Sequence, residues 1–480
     1  MATTSTVDGD VAAVATDRPP ALDDTALLGH PRGLGLLFLV EMWERFSYYG
    51  MRAILVLYMV HVLRWTDVAA DNLYGWYTSL VYLTPLAGGY LADRFIGTRR
   101  SLVIGGLVIA AGHFVLATET IVSFYLGLTL VVIGTGFFKP NVSTMVGQLY
   151  RPGDGRRDAG FTIFYMGINL GGFLSPFLCG WLAQSAAFRA TLVGAGIDPA
   201  RSWSWGFGAA GVGMLAGLVL YISLRDKYLP GIGLPSRGPA AGSGRGARAP
   251  AGPLTREEWR RVAALLIMFF FMVFFWAVYE QAGSSLNLFA DRYVDLHVGS
   301  HLIPSSWFQS AQPFFVIMLA PVFAFLWRRL RDANHEPSTP LKMALGLGLI
   351  GVGCAFLLVA GHAADACLGA RAATACAVVS PTWLTMFYLF SVLGELCMSP
   401  VGLSYVTKVA PPRYVAFLMG AWFLTNAVGD KIAGSLAALG ARLPSHAQFF
   451  MIPLVTSLVA AALLLLCAPW LKRLTGRLGD

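Results

Sequence analysis

Charged side chains are scarce in this sequence. Asp, Glu, Lys and Arg make up only 13% of its 480 residues, whereas hydrophobic residues make up 56%. A soluble domain of this length needs a more charged surface and cannot bury so much apolar material. Together with a mean hydropathy of +0.62, this composition excludes an ordinary soluble protein and indicates that most of the chain lies in a lipid bilayer.

Cysteine is also rare, with six residues. None has the spacing of a metal site, and no nucleophile–base pair or soluble output domain is recognisable, which argues against a membrane enzyme or receptor and predicts no cofactor. Cys367 and Cys376 share one loop and form either a disulfide or two free thiols. The first 30 residues lack a basic segment followed by an apolar one, so no cleavable signal peptide is expected.

Long hydrophobic runs, in contrast, are abundant. A helix needs about 20 residues to cross a hydrocarbon core of about 30 Å. Twelve such runs are predicted, at residues 34–62, 74–92, 101–118, 121–148, 160–183, 203–224, 261–282, 305–327, 341–361, 382–407, 414–437 and 447–470. The fold class expected is therefore an all-α membrane protein with twelve transmembrane helices.

A polar stretch divides these runs into two groups of six. Residues 225–260 are rich in Gly, Pro, Ala and Arg and lack an apolar period, which is typical of a flexible linker. The predicted organisation is a polar tail at 1–33, a six-helix bundle at 34–224, the linker, a second six-helix bundle at 261–470 and a short tail at 471–480.

The basic residues predict the orientation of the chain. Six of the 35 Lys and Arg residues fall on one side of the predicted spans (Arg64, Arg189, Arg201, Arg292, Arg371, Arg442), four lie inside spans (Arg45, Arg52, Lys139, Lys431), and the other 25 share the side of both termini. The positive-inside rule makes that side cytoplasmic, in a multi-pass protein of the plasma (inner) membrane. Contact with anionic lipid accounts for the net charge of +9 without a nucleic acid partner.

The first run contains an unusual charged segment, EMWERFSYYGMR. At 100° per residue, its two glutamates, two arginines and two tyrosines fall within about 80° of Glu41 on one helix face. A charge at the bilayer centre costs about 2.5–3.5 kcal/mol, so this face must point to a protein interior or a watery cavity. An ion-paired packing cluster, with Arg45 holding Glu41 or Glu44, is the alternative, although buried pairs stabilise weakly.

Charges interrupt later spans as well. Lys139, Glu280, Glu395 and the Asp430–Lys431 pair come from both halves of the chain. A polar cleft between two helix bundles accommodates them all, and transporters bind their substrates there. Asp430 and Lys431 are interpreted as a salt bridge at a cytoplasmic helix end, with a second coupling site as the alternative.

Several motifs resemble those of a known family. GGYLADRFIGTRR resembles the loop motif of the major facilitator superfamily, in which an Asp–Arg turn and a basic tail latch the two halves together. EMWERFSYYGMR, FYMGINLGGFLSPFLCGWL, GTGFFKPNVS, FFWAVYEQAGSS and GELCMSPVGLSYVTKVAPP resemble the proton-dependent oligopeptide transporter family, in the right order over nearly the whole chain. The resemblance implies a major facilitator fold and proton-coupled import of di- and tripeptides.

The resemblance also implies roles for individual residues. The positions implied in proton coupling are Glu41, Glu44, Arg45, Lys139 and Glu280. Arg52 and Glu280 match a salt bridge that closes the extracellular gate and opens when the glutamate takes a proton. The positions implied to line the substrate site are Tyr48, Tyr49, Arg52, Tyr82, Lys139, Asn169, Trp276, Gln312, Glu395, Trp422 and Asn426.

The chemistry of a peptide supports these roles. A di- or tripeptide carries an ammonium and a carboxylate, so its site needs an acid on one wall and bases on the other, here Glu395 opposite Arg52 and Lys139. Aromatic and amide groups between them accept many side chains. A carrier of the same fold for nitrate, a peptide-like drug or a metabolite is the alternative function, and it would not need opposed walls. A monomer driven by the proton gradient is expected.

Overall fold

The computed structural model describes residues 24–151, 153–234, 254–371 and 378–475. In its first half the helices are α1 (Arg32–His61), α2 (Asp67–Leu91), α3 (Thr98–Leu116), α4 (Ile121–Gln148), α5 (Arg157–Gln184), α6 (Ala186–Gly194) and α7 (Ser202–Tyr228). In its second half they are α8 (Arg256–Tyr279), α9 (Ser285–Tyr293), α10 (Ala311–Asp332), α11 (Thr339–Arg371), α12 (Pro381–Val409), α13 (Val415–Gly440) and α14 (His446–Thr475). A small antiparallel hairpin pairs β1 (His297–Val298) with β2 (His301–Leu302).

Every long helix coincides with one of the predicted hydrophobic runs. Among the described residues, nine helices are long and apolar enough to cross a membrane. Three other long helices, α1, α2 and α13, do not meet this criterion. Two of them carry intramembrane charges: Glu44, Arg45 and Arg52 lie in α1, and Asp430 and Lys431 lie in α13.

Threonine caps determine where several helices begin. The Thr66 side chain accepts a hydrogen bond from the Ala69 amide at the start of α2, and Thr255 forms a capping box with Glu258 at the start of α8. Such caps satisfy amide groups that have no partner inside the helix. They allow both helices to begin in polar sequence, ahead of the apolar runs 74–92 and 261–282.

The helices form two bundles that meet along a central interface. In the first half α1 packs against α5 and α7, and in the second half α11 packs against α12 and α14. Across the interface α2 packs against α13 and α5 packs against α10. The α2–α13 contact is a close backbone approach, since a Cβ atom on Gly75 would lie 2.9 Å from the Cα atom of Gly434. Small residues permit such packing.

The segment between the bundles is shorter than the predicted linker. Helix α7 continues to Tyr228 and α8 begins at Arg256, so helix extends into both ends of the range 225–260. The residues after α7 fold back on the first bundle, where Arg99 donates 2.7 Å to the Ile232 carbonyl and 2.9 Å to Asp226. Residues 235–253 lie outside the described part, as do 1–23 and 476–480.

Of the two cysteines predicted to form either a disulfide or free thiols, only Cys367 lies in the described part of the chain. Cys367, near the end of α11, is disulfide-bonded. Cys376 lies outside the described residues. Cys179, Cys354, Cys397 and Cys467 are free thiols, as expected for residues that pack inside apolar spans.

Prolines beside the buried charges do not end their helices. Pro140 lies inside α4, Pro176 inside α5 and Pro400 inside α12. A proline removes one helical hydrogen bond and leaves a point where the helix can bend. Pro140 directly follows Lys139, and Pro400 follows Glu395 along α12. Each of these two charged groups therefore lies close to a point where its helix can bend.

Candidate functional site: a charged cleft between the two bundles

The charged face of α1 lies inside the protein. Arg45 is ion-paired with both glutamates of the motif: its Nε lies 3.2 Å from Glu41 Oε1 and its Nη2 donates to Glu44 Oε1 at 2.6 Å. All three side chains are almost completely buried. The helix geometry predicted this inward direction. The single guanidinium of Arg45 serves as the ion-pair partner of both glutamates.

A second ion pair joins the two bundles. Arg52 of α1 donates to Glu280, which follows α8, and also to the hydroxyl of Tyr74 on α2. The two charged side chains are 7% and 8% exposed. The Arg52 guanidinium also lies over the rings of Tyr49, 5.7 Å from its centroid, and Tyr74, at 5.9 Å. A buried pair needs such additional contacts because both ions lose their hydration.

Glu395 is held without a cation. Its Oε2 accepts a hydrogen bond from Tyr279 at 2.6 Å and its Oε1 accepts one from Tyr165 at 3.1 Å. In the described part of the chain no Lys, Arg or His nitrogen lies within 4.0 Å of this carboxylate. Tyr165 belongs to α5 and Glu395 to α12, so this contact also spans the two bundles.

Lys139 is close to the acids of α1 but is not paired with them. Its Nζ lies 4.0 Å from the centroid of the Tyr82 ring, a cation–π distance. Arg45, Glu44 and Glu41 act on it electrostatically. The residues described here include no carboxylate within 4.0 Å of its ammonium group. Lys139 is therefore a cation that can take a new anionic partner.

The other predicted lining residues differ in their distance from these charges. Tyr48 and Tyr49 form an edge-to-face pair with ring centroids 5.2 Å apart, and Tyr48 lies against Arg45. Asn169 donates to the Tyr165 carbonyl at 3.0 Å, one turn from a Glu395 partner. Trp276 packs against Tyr279, the other Glu395 partner.

Three predicted lining positions are less closely tied to the charged groups. Trp422 packs against Phe269, with ring centroids 5.9 Å apart, and is buried. Gln312 is buried and Asn426 is half-buried. Among the described residues, Gln312 Nε2, Trp276 Nε1 and the Tyr48 hydroxyl are buried without a hydrogen-bond partner, so each can bind a further polar group.

The cleft is closed at the end where α1 stops and α2 starts, which we call the distal side. Arg292 forms a two-point ion pair with Asp67, at 2.6 and 2.7 Å, and His61 Nε2 lies 2.6 Å from Asp291 Oδ2. Both pairs join the first bundle to the second. They form an outer layer above the Arg52–Glu280 pair.

The opposite end, which we call the linker side, is more open. Lys139 and Tyr82 are only half-buried there. Asp93 and Arg94 of the loop motif are exposed, and Arg94 donates to the Tyr90 hydroxyl of its own bundle. In the described part of the chain these two residues form no latch between the halves. The ion pairs described between the bundles thus all lie toward the distal side of the cleft.

Comparison with known proteins identifies the family. A model described as the POT family matches residues 99–229 and 253–472. The chain belongs to the POT family. It is 40% identical to the uncharacterized transporter YclF of Bacillus subtilis, covering 93% of this chain and 95% of that protein. It is 34% identical to the peptide transporter YePEPT of Yersinia enterocolitica, covering 92% and 93%.

Solved structures agree with this assignment. A mutant of the peptide transporter POT, crystallised with alafosfalin, is 36% identical and superposes with a TM-score of 0.80 over 94% of this chain and 96% of that one. The family predicted from the motifs is thus confirmed, as is the all-α transporter architecture of the major facilitator type. POT-family members are membrane transporters and not enzymes.

For this POT-family chain, sequence reasoning missed three tyrosines that hold the charged groups. They are Tyr74, bound to Arg52, and Tyr165 and Tyr279, bound to Glu395. A signal was present for two of them: Tyr165 lies one turn before Asn169 in the fifth-helix motif, and Tyr279 directly precedes Glu280. For Tyr74 the sequence offers no such signal, because its role depends on how α2 packs against α1.

The predicted salt bridge between Asp430 and Lys431 is wrong. The side chains of these two neighbours leave α13 in directions about 100° apart and, unlike those of Glu44 and Arg45, do not turn toward each other. Asp430 points into the buried interface, whereas Lys431 Nζ donates to Ser435 at 3.0 Å and lies 4.8 Å from the Trp76 ring centroid. The two charges therefore belong to different environments.

Proposed function

We propose that this POT-family protein is a symporter that imports di- and tripeptides together with protons across the plasma (inner) membrane, by alternating access. The relatives named above as peptide transporters support this substrate class. The observation that carries the proposal is the cleft itself. An acid, Glu395, lies on the second bundle, and two bases, Arg52 and Lys139, lie on the first.

The peptide would bind between these walls. Its ammonium pairs with Glu395, which Tyr279 and Tyr165 hold in place, and its carboxylate recruits Lys139 and Arg52. We assign the lining role to Tyr48, Tyr49, Tyr82, Asn169, Trp276, Gln312, Trp422 and Asn426. The unpartnered donors of Trp276 and Gln312 suit a peptide backbone, and the tyrosine rings tolerate many side chains.

The proton would act on the ion pair that joins the bundles. Protonation of Glu280 neutralises its carboxylate and weakens its hold on Arg52. Arg52 is then free to bind the peptide carboxylate, and the distal layer loses one of its links. The charge of a carboxylate is what makes this bond strong, because hydrogen bonds to ionised groups are about twice as strong as neutral ones.

A second coupling element lies next to the first. Glu41 and Glu44 share Arg45, and Lys139 approaches them electrostatically. When the peptide carboxylate engages Lys139, the balance of charge around the two glutamates changes. We propose that this change releases a proton to the linker side, after which the peptide leaves by the same route.

The topology completes the proposal. The linker side carries most of the basic loop residues, so it is assigned to the cytoplasm together with both termini. The protein acts as a monomer driven by the proton gradient, without a cofactor. The distal side then faces outward, and the conformation described here is inward-open.

Uptake of labelled dialanine into proteoliposomes tests the function. Wild-type protein is compared with Glu44→Gln and Glu280→Gln, with and without an inward proton gradient. Glu336→Gln is the matched control, because Glu336 lies in the loop between α10 and α11, outside the cleft. We expect concentrative uptake that needs the gradient, is lost in the two cleft variants and is unchanged in the control.

Counterflow separates coupling from binding. Glu280→Gln should still exchange peptide for peptide, since exchange needs no net proton movement. Full gradient-driven accumulation by Glu280→Gln would contradict its assignment. Folded wild-type protein that transports no di- or tripeptide would exclude peptides and leave another small solute, such as nitrate, a peptide-like drug or a metabolite, as the cargo of this transporter.

A further inference from the structure

The cleft contains an acid that neither the ion pairs nor the peptide-binding roles use. Asp430 lies on α13 and is 2% exposed. In the described part of the chain its Oδ2 has no hydrogen-bond partner, and no basic nitrogen lies within 4.0 Å of its carboxylate. An ionised carboxylate in such a place would lose its hydration without gaining a partner.

Asp430 nevertheless faces the charges of the transport cleft. The charged and titratable groups that act on it come from both bundles: Arg52 and Tyr48 on α1, Tyr74 and Tyr82 on α2, Lys139 on α4 and Glu280 after α8. The neighbouring residue Lys431 points away, toward Trp76 and Ser435. Asp430 is thus close to the cleft cations without being bound to any of them.

The cleft contains more acidic than basic side chains. Its acids are Glu41, Glu44, Glu280, Glu395 and Asp430, and its bases are Arg45, Arg52 and Lys139. The acids therefore outnumber the bases by two. Arg45 and Arg52 are both paired already, so a buried ionised Asp430 would need either a released cation or a proton of its own.

Asp430 also belongs to a contact between the two bundles. It lies where α2 and α13 make their close contact, and a Cβ atom on Gly75 would lie 3.2 Å from the Asp430 carbonyl oxygen. This contact is part of the closed distal side. When the bundles rock open on that side, α2 and α13 must separate, and the carboxyl of Asp430 then meets water from the distal side.

We propose that Asp430 is a further proton-carrying residue of the transport cycle. The inference rests on the proposed proton-coupled function and adds a carboxyl group to the coupling residues Glu280, Glu41 and Glu44. A hydronium ion on the distal side gives its proton to an Asp430 carboxylate oxygen, forming one O–H bond and leaving water. That bond breaks when Arg52 or Lys139 approaches Asp430 after the bundles have rocked, and the proton passes to water on the linker side.

The first test does not depend on any transported substrate. Infrared difference spectra of the purified protein in lipid, between alkaline and acidic buffer, report protonated carboxyl groups by their C=O stretch. We expect a band in the wild type that is absent in Asp430→Asn. It should remain in Asp332→Asn, an exposed aspartate at the end of α10 that serves as the control.

The second test measures the number of protons moved per peptide, from the reversal of dialanine flux against a set proton gradient. Asp430→Asn should move one proton fewer and keep peptide counterflow. A variant that moves one proton fewer per peptide reaches a lower limiting ratio of inside to outside peptide. For a tenfold proton gradient this ratio falls on the order of tenfold. Asp430→Glu, which keeps the acid, should keep the wild-type ratio.

The outcomes separate the two proposals. An unchanged infrared band and an unchanged proton ratio in Asp430→Asn would overturn the role of Asp430. Absence of peptide transport by the wild type would overturn the proposed function, whereas the infrared comparison would still decide whether Asp430 binds a proton. Asp430→Ser replaces the asparagine variant if the latter does not fold, as judged by gel filtration.

Discussion

At the scale of single residues, Glu395 is the acid of the cleft that two neutral donors hold in place. Two tyrosine hydroxyls donate to its oxygens, so the carboxyl group is oriented without a cationic partner in the described part of the chain. Hydrogen bonds to a charged group contribute about 1.5–3 kcal/mol. The shorter bond, from Tyr279, contributes to both the position of the carboxylate and the stability of its ionised form.

Removal of the Tyr279 hydroxyl should weaken peptide binding. We expect Tyr279→Phe to raise the Kd for dialanine about tenfold, because Glu395 loses its 2.6 Å donor. Tyr388→Phe is the matched control, since the buried Tyr388 hydroxyl, on the same helix as Glu395, has no partner in the described part of the chain. Binding is measured by competition against a labelled dipeptide. Equal Kd values for the two variants would contradict the role of Tyr279.

A carboxylate outside the spans predicts a pH dependence of stability. Hydrogen bonds from Arg331 and Lys342 lower the pKa of Glu336 from 4.5 to about 2. A lowered pKa in the folded state stabilises the protein above pH 4.5, and this stabilisation is lost as the pH falls toward 2. Glu336→Gln should therefore lower Tm slightly at neutral pH, with a difference that shrinks in acid. A difference independent of pH would exclude this origin.

The sequence predicted some of these residues better than others. The shared direction of Glu41, Glu44, Arg45 and Arg52 followed from helix geometry alone, because residues on one helix keep a fixed angle to each other. Partners on other helices, such as Tyr279 for Glu395, depend on packing between elements. The predicted salt bridge between Asp430 and Lys431 was wrong for a similar reason: Asp430 is buried in the interface, whereas Lys431 contacts Ser435 and Trp76, and this difference depends on how α13 packs.

At the scale of helices, the α2–α13 contact is a close approach of two backbones, one from each bundle. It depends on two glycines, Gly75 and Gly434, that face each other without side chains. Hydropathy located the apolar centre of α2 but not its first turns, which are polar and begin at the Thr66 cap. The glycine pairing could not be predicted, because it requires the relative position of two helices far apart in sequence.

A methyl group at this contact should disfavour the closed distal side. The Cβ atom of Gly75→Ala would lie 2.9 Å from Gly434 Cα, and such overpacking costs about 1–3 kcal/mol. We expect about tenfold slower uptake and faster thiol labelling of Leu288→Cys, a position on α9 that packs against the first bundle.

The matched control for this substitution is Gly208→Ala. Gly208 lies on α7, and a Cβ atom there would meet nothing within 4 Å. It should leave both uptake and labelling of Leu288→Cys as in the wild type. If Gly75→Ala labelled no faster than Gly208→Ala, the glycine contact would not be what closes this side.

At the scale of the whole molecule, ion pairs between the bundles determine which end of the cleft is closed. The Asp67–Arg292 pair has the two-point geometry that makes such contacts strong. The two-bundle architecture followed from twelve apolar runs and the linker. The state of the cleft did not, because the pairs that close it join α1 and α2 to α9 and to the turn after α8, which are far apart in the sequence.

Charge exchange tests this closure. Asp67→Arg alone places two cations opposite each other and should increase thiol labelling of Leu288→Cys several-fold. Combining it with Arg292→Asp restores an attractive pair and should return labelling most of the way to the wild-type rate. A double variant that labels as fast as the single one would show that the pair does not hold the two bundles together.

The thin distal layer has an electrical consequence. In the proposed inward-open conformation, water would reach the cleft from the linker side, where Lys139 and Tyr82 are half-buried, and the membrane voltage would then fall mainly across the barrier formed by the Arg52–Glu280 and Asp67–Arg292 pairs. A unit charge that crosses the full voltage gains about 2.3 kcal/mol per 100 mV. Small displacements of Arg52 or of a proton on Glu280 therefore move a large share of a charge through the field, which makes the rocking of the two bundles itself sensitive to voltage.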